Sequence, residues 1–495
     1  MGIFSSLVHS IKPIYSIIFT LGVLVFVLYN LKLQKALWVD ECYTFYGIDH
    51  DSFSSFWDSM LSGINFSPPL YFFINWFAAF CLPISIELLR LESILWTVLG
   101  LIFFYHGYKK ILGTSATAIS IILVISQSNL LLDNSTEARH YTMFFACASW
   151  VFLTIPNLKH GSKNLHPIEH FSFFISHFCL CLSHYLGIVF SLLFVVGILL
   201  SRKDINFAKR IPWSILTCWL IVIPVYLFFL QNQSSHLNTW PKSKSIDAIF
   251  ENYDYSALFL SLIIPLITCF LMFQKKKYPV TSSSSEVRMA LFVSVLWFLA
   301  PFLFWILANL VPLNLLKERY FIPKEIGLLA ILAFAVNRCC AFIGIRKRDL
   351  ENKSGIPIIV ITFYSLFMIF VYHKRSSFGY SENRNYYHWL HIDDSVEKLN
   401  LPIIISGDPL FFPNTYQNEE QYFFHMDDKN LQEIYSRFSS KLNIVSSSEL
   451  LSWDSFILVG KSDSFKSLDA SLFSSVLLGK VHERLPFLIK RFKRI

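Results

Sequence analysis

Two adjacent carboxylates, Asp40 and Glu41, follow the first long apolar run of the sequence. Most surface carboxylates are simply solvated, but this pair lies beside Trp38, a residue type enriched at membrane interfaces. A double proline, Pro68-Pro69, follows in the same loop and restricts its backbone. A carboxylate held near an attacking hydroxyl can take its proton. We therefore predict Asp40 and Glu41 as catalytic residues, with Asp40 as the general base. The pair is also a candidate for binding a divalent cation.

Two arginines lie in similar settings further along the chain. Arg139 lies in Glu137-Ala138-Arg139-His140-Tyr141, and Arg319 lies in Lys317-Glu318-Arg319-Tyr320. A single arginine at the edge of a span is usually an interface residue. Two on one membrane face suit phosphate binding, because a guanidinium group forms paired hydrogen bonds with phosphate oxygens. A histidine between two spans is more often structural than catalytic, which makes His184 the weakest candidate. The predicted substrate-binding residues are Arg90, Arg139, Tyr141, His184, Lys317, Arg319 and Tyr320.

The composition places these residues in an integral membrane protein. Of 495 residues, 54% are hydrophobic, 17% are aromatic and only 15% are charged, and the mean hydropathy is +0.49. Soluble cores alone do not bury so much apolar surface. The net charge of +8 comes from short basic clusters between apolar runs. This distribution is typical of membrane topology signals and not of a nucleic-acid-binding face.

The apolar runs predict an all-α polytopic membrane protein with about eleven spans, since a span needs about 17 to 25 residues. The expected spans lie near residues 14–31, 91–108, 114–132, 141–157, 168–183, 185–201, 211–230, 255–273, 290–311, 320–337 and 355–372.

The run at 69–83 is shorter, is bounded by prolines and contains Asn75, which favours an interfacial or re-entrant helix. If it does not cross and the N-terminus lies inside, the basic clusters between spans all face the cytoplasm. Asp40 and the arginines then face the opposite side of the membrane.

The character of the sequence changes after residue 373, where it becomes polar and charged. Short apolar runs at 402–406 and 456–459 are each followed by glycine, which is typical of strands in a small α/β domain. We therefore expect two domains. Residues 1–372 form the transmembrane catalytic domain, and residues 373–495 form a non-cytoplasmic soluble domain.

The motifs above, taken in order, resemble those of membrane-embedded GT-C glycosyltransferases of the protein O-mannosyltransferase and aminoarabinose transferase type, a glycosyltransferase family 39-like pattern. The matching elements are Asp40-Glu41 after the first span, Pro68-Pro69-Leu70-Tyr71, Arg90, the segment from Glu137 to Tyr141, and Arg319-Tyr320. The resemblance covers roughly residues 10 to 340. It implies an inverting transferase that uses a polyprenyl-phosphate sugar on the non-cytoplasmic face, with the first loop's aspartate as catalytic carboxylate. The family commonly has histidine before the double proline, where this chain has Ser67.

Residue chemistry and resemblance thus agree on one prediction. The protein is expected to transfer a hexosyl or pentosyl group from a polyprenyl-phosphate donor to a hydroxyl of a lipid, polysaccharide or protein. Its expected location is the bacterial inner membrane, with the site facing the periplasm. The alternatives are a transporter or flippase of lipid-linked glycans, which would need ionisable residues deep within spans, and a membrane scaffold with a sensory outer domain. Substitution of Asp40 and Arg319 discriminates among the three.

Overall fold

The structure is a computed structural model. It describes residues 22, 39–160, 165–201, 212–233, 285–310, 318–342, 398–406, 422–425, 435–439, 442–461, 473–480 and 487–494. Three predicted spans, at 14–31, 255–273 and 355–372, lie outside these residues except for residue 22, as does the predicted domain boundary at 372–373. The other predicted spans all fall on helices.

Three short helices build the first loop: α1 (Val39–Ile48), α2 (Phe53–Leu61) and α3 (Leu70–Ala78). Helix α2 begins at Ser52, whose side chain accepts a hydrogen bond from the backbone N–H of Ser55, as N-cap residues do. Helix α3 has only nine residues, about 14 Å at 1.5 Å per residue, too short to cross a hydrocarbon core of about 30 Å. The prediction of interfacial helices in this loop is therefore confirmed.

The helices that follow form the bundle. Among the residues that the structure describes, three segments are long and apolar enough to cross a membrane: α4 (Ile86–Leu112), the segment Tyr141–Leu158, which joins α7 (Tyr141–Leu153) to the 3-10 helix Ile155–His160, and α10 (Trp213–Gln233). Two further apolar segments are bent pairs of helices, each either a broken span or a re-entrant loop. Helices α5 (Thr114–Gln127) and α6 (Asn129–Ser135) meet at 72°, and α11 (Ser285–Phe298) and α12 (Ala300–Leu310) meet at 52°. The remaining bundle helices described are α8 (Pro167–Ser183), α9 (Gly187–Leu200) and α13 (Lys324–Phe342), the last preceded by a 3-10 turn, Glu318–Phe321.

Two glycines let α4 and α7 pack closely. A Cβ atom at Gly100 would lie 2.6 Å from the ring of Phe145, and one at Gly107 would lie 2.9 Å from Cα of Leu153. Any larger residue would push the helices apart, since small residues permit the close backbone approach common in membrane helix pairs. This packing matters for the site, because the outer turns of α4 and α7 carry Arg90 and Tyr141.

The C-terminal part is a six-stranded sheet of order β3-β2-β1-β4-β6-β5. The strands are β1 (Ile403–Ser406), β2 (Tyr422–His425), β3 (Ile444–Val445), β4 (Ser455–Lys461), β5 (Phe473–Lys480) and β6 (Phe487–Arg494), with a short helix, α14 (Ser447–Leu450), before β4. Strands β1 to β4 pair in parallel, whereas β6 pairs antiparallel with β4 and β5. The two runs predicted as strands become β1 and β4, which confirms the small α/β region.

Side chains alternate between the two faces of this sheet, as the strand geometry requires. On β1, Ile404 belongs to an apolar cluster confined to the C-terminal region. Its neighbours Ile403 and Ile405 belong instead to the large cluster that also contains the cores of α1, α4 and α7. The sheet therefore packs through one face onto the part of the bundle that carries the first loop.

A candidate glycosyl-transfer site on the first loop

Asp40 and Glu41 lie in the first turn of α1, where negative side chains are stabilised by the helix dipole. Successive residues of a helix point about 100° apart, so the two carboxylates face different surroundings. The side chain of Glu41 is 1% exposed, whereas that of Asp40 is 19% exposed. Only Asp40 is open to a reacting molecule.

Glu41 is held on both carboxylate oxygens. Arg90 donates from Nε to Oε1 at 2.7 Å and from Nη2 to Oε2 at 2.6 Å, the bidentate geometry that makes arginine–carboxylate pairs strong. The backbone N–H of Ala138 also donates to Oε1, at 2.9 Å. Glu41 therefore ties three segments together: α1, α4 and the loop before α7. This geometry fits a residue that positions the site, and the catalytic role predicted for Glu41 stays a prediction.

Asp40 faces Arg319, from the 3-10 turn before α13. Nη1 of Arg319 lies 2.7 Å from Oδ2 of Asp40, and the two side chains are 26% and 19% exposed. Burial opposes the charge of Arg319, but nearby Tyr141 and Asp40 raise its pKa well above the usual value. The predicted base and one predicted phosphate ligand are thus in direct contact.

Arg139 also contacts Asp40, and three hydrogen-bond acceptors fix its position. Its Nη1 donates to the backbone carbonyl of Asp40 at 2.9 Å, to Oγ1 of Thr44 at 3.1 Å and to Oδ1 of Asn65 at 3.1 Å. Asn65 in turn donates from Nδ2 to the carbonyl of Tyr43 at 2.6 Å. Two consecutive turns of α1 and the loop after α2 therefore set the position of Arg139.

Tyr141 places an aromatic ring beside both arginines. The guanidinium carbon of Arg139 lies 5.8 Å from the ring centroid and that of Arg319 lies 5.6 Å from it, while the ring of Tyr320 lies at 6.1 Å. Cations within about 6 Å of an aromatic face are attracted to it. One tyrosine thus helps to hold two like charges close together, which their mutual repulsion otherwise opposes.

Two buried histidines stack behind the arginines. The rings of His140 and His184 lie 5.3 Å apart at 27°, and His184 lies 5.1 Å from Tyr320. Burial and the nearby Arg139 lower the pKa of His140 well below its usual value and that of His184 to about 3. Because Nδ1 of His184 accepts the N–H of Leu186, its neutral ring carries the proton on Nε2. Both imidazoles are uncharged at neutral pH.

His140 also lies beside Ser67, the position at which this sequence lacks the histidine common in the family. Its Nε2 lies 3.3 Å from Oγ of Ser67, the residue before the double proline. An imidazole therefore lies beside this position, although it comes from the loop before α7. The sequence pattern did not identify His140 as a site residue, nor Thr44 and Asn65, the partners of Arg139. Nothing in their spacing pairs them with an arginine more than 70 residues away.

Most of the predicted site residues meet at one end of the bundle. Lys317 lies outside the described residues. Those brought together in one network of contacts are Asp40, Glu41, Arg90, Arg139, Tyr141, His184, Arg319 and Tyr320.

Asp40 and Glu41 are the carboxylates considered above as candidates for a divalent cation. Asp40 and Glu41 each face an arginine, and no group of three or more metal-ligating His, Cys, Asp or Glu side chains occurs among the residues that the structure describes. Carboxylates already neutralised by guanidinium groups are poor ligands for a hard cation, which needs six to eight oxygens as Ca²⁺ or a near-octahedral set as Mg²⁺.

No protein family model matches the sequence, and no curated protein matches it either. Several solved structures, however, are similar to this chain. The chain is similar to ArnT from Cupriavidus metallidurans bound to undecaprenyl phosphate, with a TM-score of 0.56, 12% identity and coverage of 96% of this chain and 97% of that one. The apo state of the same protein gives a TM-score of 0.53 at 13% identity, covering 91% and 93%. The apo oligosaccharyltransferase of Archaeoglobus fulgidus gives a TM-score of 0.47 at 11% identity, covering 90% of this chain and 69% of that one.

At this level of identity the likeness to ArnT establishes the fold. The chain has the GT-C type of polytopic membrane fold along nearly its whole length. The fold that the motifs from Asp40-Glu41 to Arg319-Tyr320 predict is thereby confirmed, and so is a multi-pass membrane protein.

Proposed function

We propose that this protein is an inverting glycosyltransferase that moves a sugar from a polyprenyl-phosphate donor to an acceptor hydroxyl, with Asp40 as general base. The observation that carries the proposal is the arrangement around Asp40. The carboxylate of Asp40 is partly exposed and contacts Arg319. Arg139 donates a hydrogen bond to the backbone carbonyl of Asp40. A base and two cations within one network match the charges that develop in this reaction.

The reaction follows from these charges. Asp40 takes the proton of the acceptor hydroxyl as its oxygen attacks the anomeric carbon, and the bond from that carbon to the phosphate oxygen breaks. The electron pair leaves with the polyprenyl phosphate, whose negative charge Arg139 and Arg319 stabilise. A single displacement from the face opposite the phosphate inverts the anomeric configuration.

Arg319 has to change partners during this cycle. In the structure it is paired with Asp40, so one of its nitrogens is engaged by the proposed base. A phosphate group offers Arg319 a competing anion with bidentate geometry. Donor binding therefore draws Arg319 away from Asp40 and leaves the base ready for the acceptor.

The side of the membrane and the domain organisation are part of the same proposal. The basic clusters between spans support a first loop on the non-cytoplasmic side, by the positive-inside rule, and in a bacterial inner membrane this side is the periplasm. Residues 1–372 are the transmembrane catalytic domain and residues 373–495 a soluble domain on the same side. The acceptor is a hydroxyl of a lipid, a polysaccharide or a protein.

The test compares envelope glycans and glycolipids by mass spectrometry in cells with the intact gene, a deletion, and the deletion complemented by variants. Asp40→Asn is expected to lack the same single sugar as the deletion, at matched membrane abundance. Asp51→Asn is the control, because Asp51 is an exposed carboxylate just after α1. An intact glycan profile with Asp40→Asn would overturn the proposal.

A further inference from the structure

The C-terminal region contacts the helix that carries Asp40. Residues 435–438 form one helical turn, and Phe438 on it is fully buried. Its ring meets that of Tyr43 edge-on at 6.0 Å between centroids. Tyr43 is also hydrogen-bonded to Tyr435, one turn earlier on the same segment. The contact thus combines an aromatic pair with a hydrogen bond.

A glycine beside this contact makes room for Asn65. Gly47 lies one turn after Tyr43 on the same side of α1, and a Cβ atom there would lie 3.5 Å from Cε2 of Phe438 and 2.5 Å from Nδ2 of Asn65. Any larger residue at this position would displace Asn65. Phe438 and Asn65 therefore pack against the same patch of α1, formed by Tyr43 and Gly47.

Asn65 connects that patch to the candidate site. Its Nδ2 donates to the carbonyl of Tyr43, and its Oδ1 accepts from Nη1 of Arg139. The same nitrogen of Arg139 donates to the carbonyl of Asp40. The position of Arg139 relative to Asp40 is thus set by α1 and by Asn65, and Phe438 packs on the same part of α1 that Asn65 contacts.

We propose that the C-terminal domain acts as a positioning element for the transfer reaction, with Phe438 and Tyr435 clamping α1 so that Arg139 is held ready for the donor phosphate. The inference rests on the proposed function and assigns the soluble domain a part in donor binding. Tyr43, Gly47 and Asn65 are its receiving surface on the membrane domain.

The test measures binding of undecaprenyl phosphate to the full-length protein in detergent. Phe438→Ala is expected to weaken binding about tenfold, because a shift of about 1 Å in a positioning group can cost up to roughly 100-fold. Tyr435→Phe removes the hydroxyl but keeps the aromatic ring, so it preserves the packing. It is expected to weaken binding less than Phe438→Ala does. Arg437→Ala is the matched control, because Arg437 is exposed on the same turn, and it should bind as the wild type does.

A double-mutant cycle separates positioning from general destabilisation. If Phe438 acts through Arg139, Phe438→Ala adds little to the loss already caused by Arg139→Ala; independent effects would add. Wild-type affinity in both Phe438→Ala and Tyr435→Phe, or full additivity with Arg139→Ala, would overturn the inference and leave the proposed function standing. A wild-type protein that neither binds undecaprenyl phosphate nor transfers a sugar would overturn the proposed function and, with it, the inference.

Discussion

Arg319 and Asp40 are joined by an ion pair, with Nη1 of the arginine 2.7 Å from Oδ2 of the aspartate. Its importance is chemical. The group proposed to accept a proton and a group proposed to hold the phosphate neutralise each other until an anionic donor competes for the arginine.

The first prediction concerns Asp40 itself. Asp40→Asn should lower the rate of sugar transfer by about 10²- to 10⁴-fold, because general-base catalysis typically contributes that much. Binding of undecaprenyl phosphate should be unchanged or tighter, because Arg319 loses its competing anion. Steady-state transfer and lipid binding are measured on the same preparation, with Asp51→Asn as control. Equal losses of binding and transfer would instead assign Asp40 to donor binding.

The second prediction concerns Arg319. Arg319→Gln should slow transfer by roughly 10²- to 10³-fold, the cost typical of removing one group that stabilises developing negative charge. Arg319→Lys should recover only part of this, because an ammonium group does not make the bidentate contact of a guanidinium. The comparison of the three proteins by single-turnover transfer checks both statements. Full activity in Arg319→Gln would show that Arg139 alone suffices for the phosphate.

A third prediction separates Glu41 from its neighbour. Glu41→Gln removes one charge of a buried ion pair, which typically costs about 3 to 5 kcal/mol. The measurement is thermal unfolding in detergent, and a pronounced fall in midpoint is expected. Adding Arg90→Met should restore part of the lost stability, since a well-packed apolar pair can replace a buried ion pair. Asp40→Asn, at the partly exposed pair, should change the midpoint far less.

Local sequence patterns predicted most of the described helices and several residues of the candidate site. The helices could be found from the sequence because a membrane span requires a long apolar segment, a property of consecutive residues. Asp40, Arg139 and Arg319 could be found because their residue types and their place at span ends limit what they do. The separate roles of Asp40 and Glu41 could not be read from their adjacency. A helix turns adjacent residues to different sides, and which side is buried depends on α4, where Arg90 lies 49 positions along the chain from Glu41.

The contacts of the C-terminal region illustrate the same limit. The sequence predicted strands near 402–406 and 456–459, because runs of β-branched residues bounded by glycine are a local signal. Nothing local showed that Phe438 would meet Tyr43. That contact depends on the fold, which brings the turn at 435–438 onto α1.

The last prediction is a pH dependence that follows from the buried histidines. The folded protein holds the pKa of His184 at about 3, whereas an unfolded histidine has a pKa of about 6.5. Below about pH 6.5 the unfolded chain therefore binds a proton that the folded protein does not, and the free energy of unfolding falls as pH is lowered. For His184 alone the loss is about 2 kcal/mol at pH 5, and His140, whose pKa is also lowered, adds to it. Above pH 7 the contribution is constant.

The measurement for this prediction is the unfolding midpoint between pH 7.5 and pH 5 for the wild type and His184→Asn. The variant has no group that titrates in this range at position 184, so its midpoint should fall less steeply. His170→Asn is the matched control, since His170 lies on α8 and is only partly buried. Parallel curves for the wild type and His184→Asn would show that His184 takes up its proton in the folded protein near its ordinary pKa. The imidazole of His184 would then be charged in mild acid, where it would repel Arg139 and Arg319.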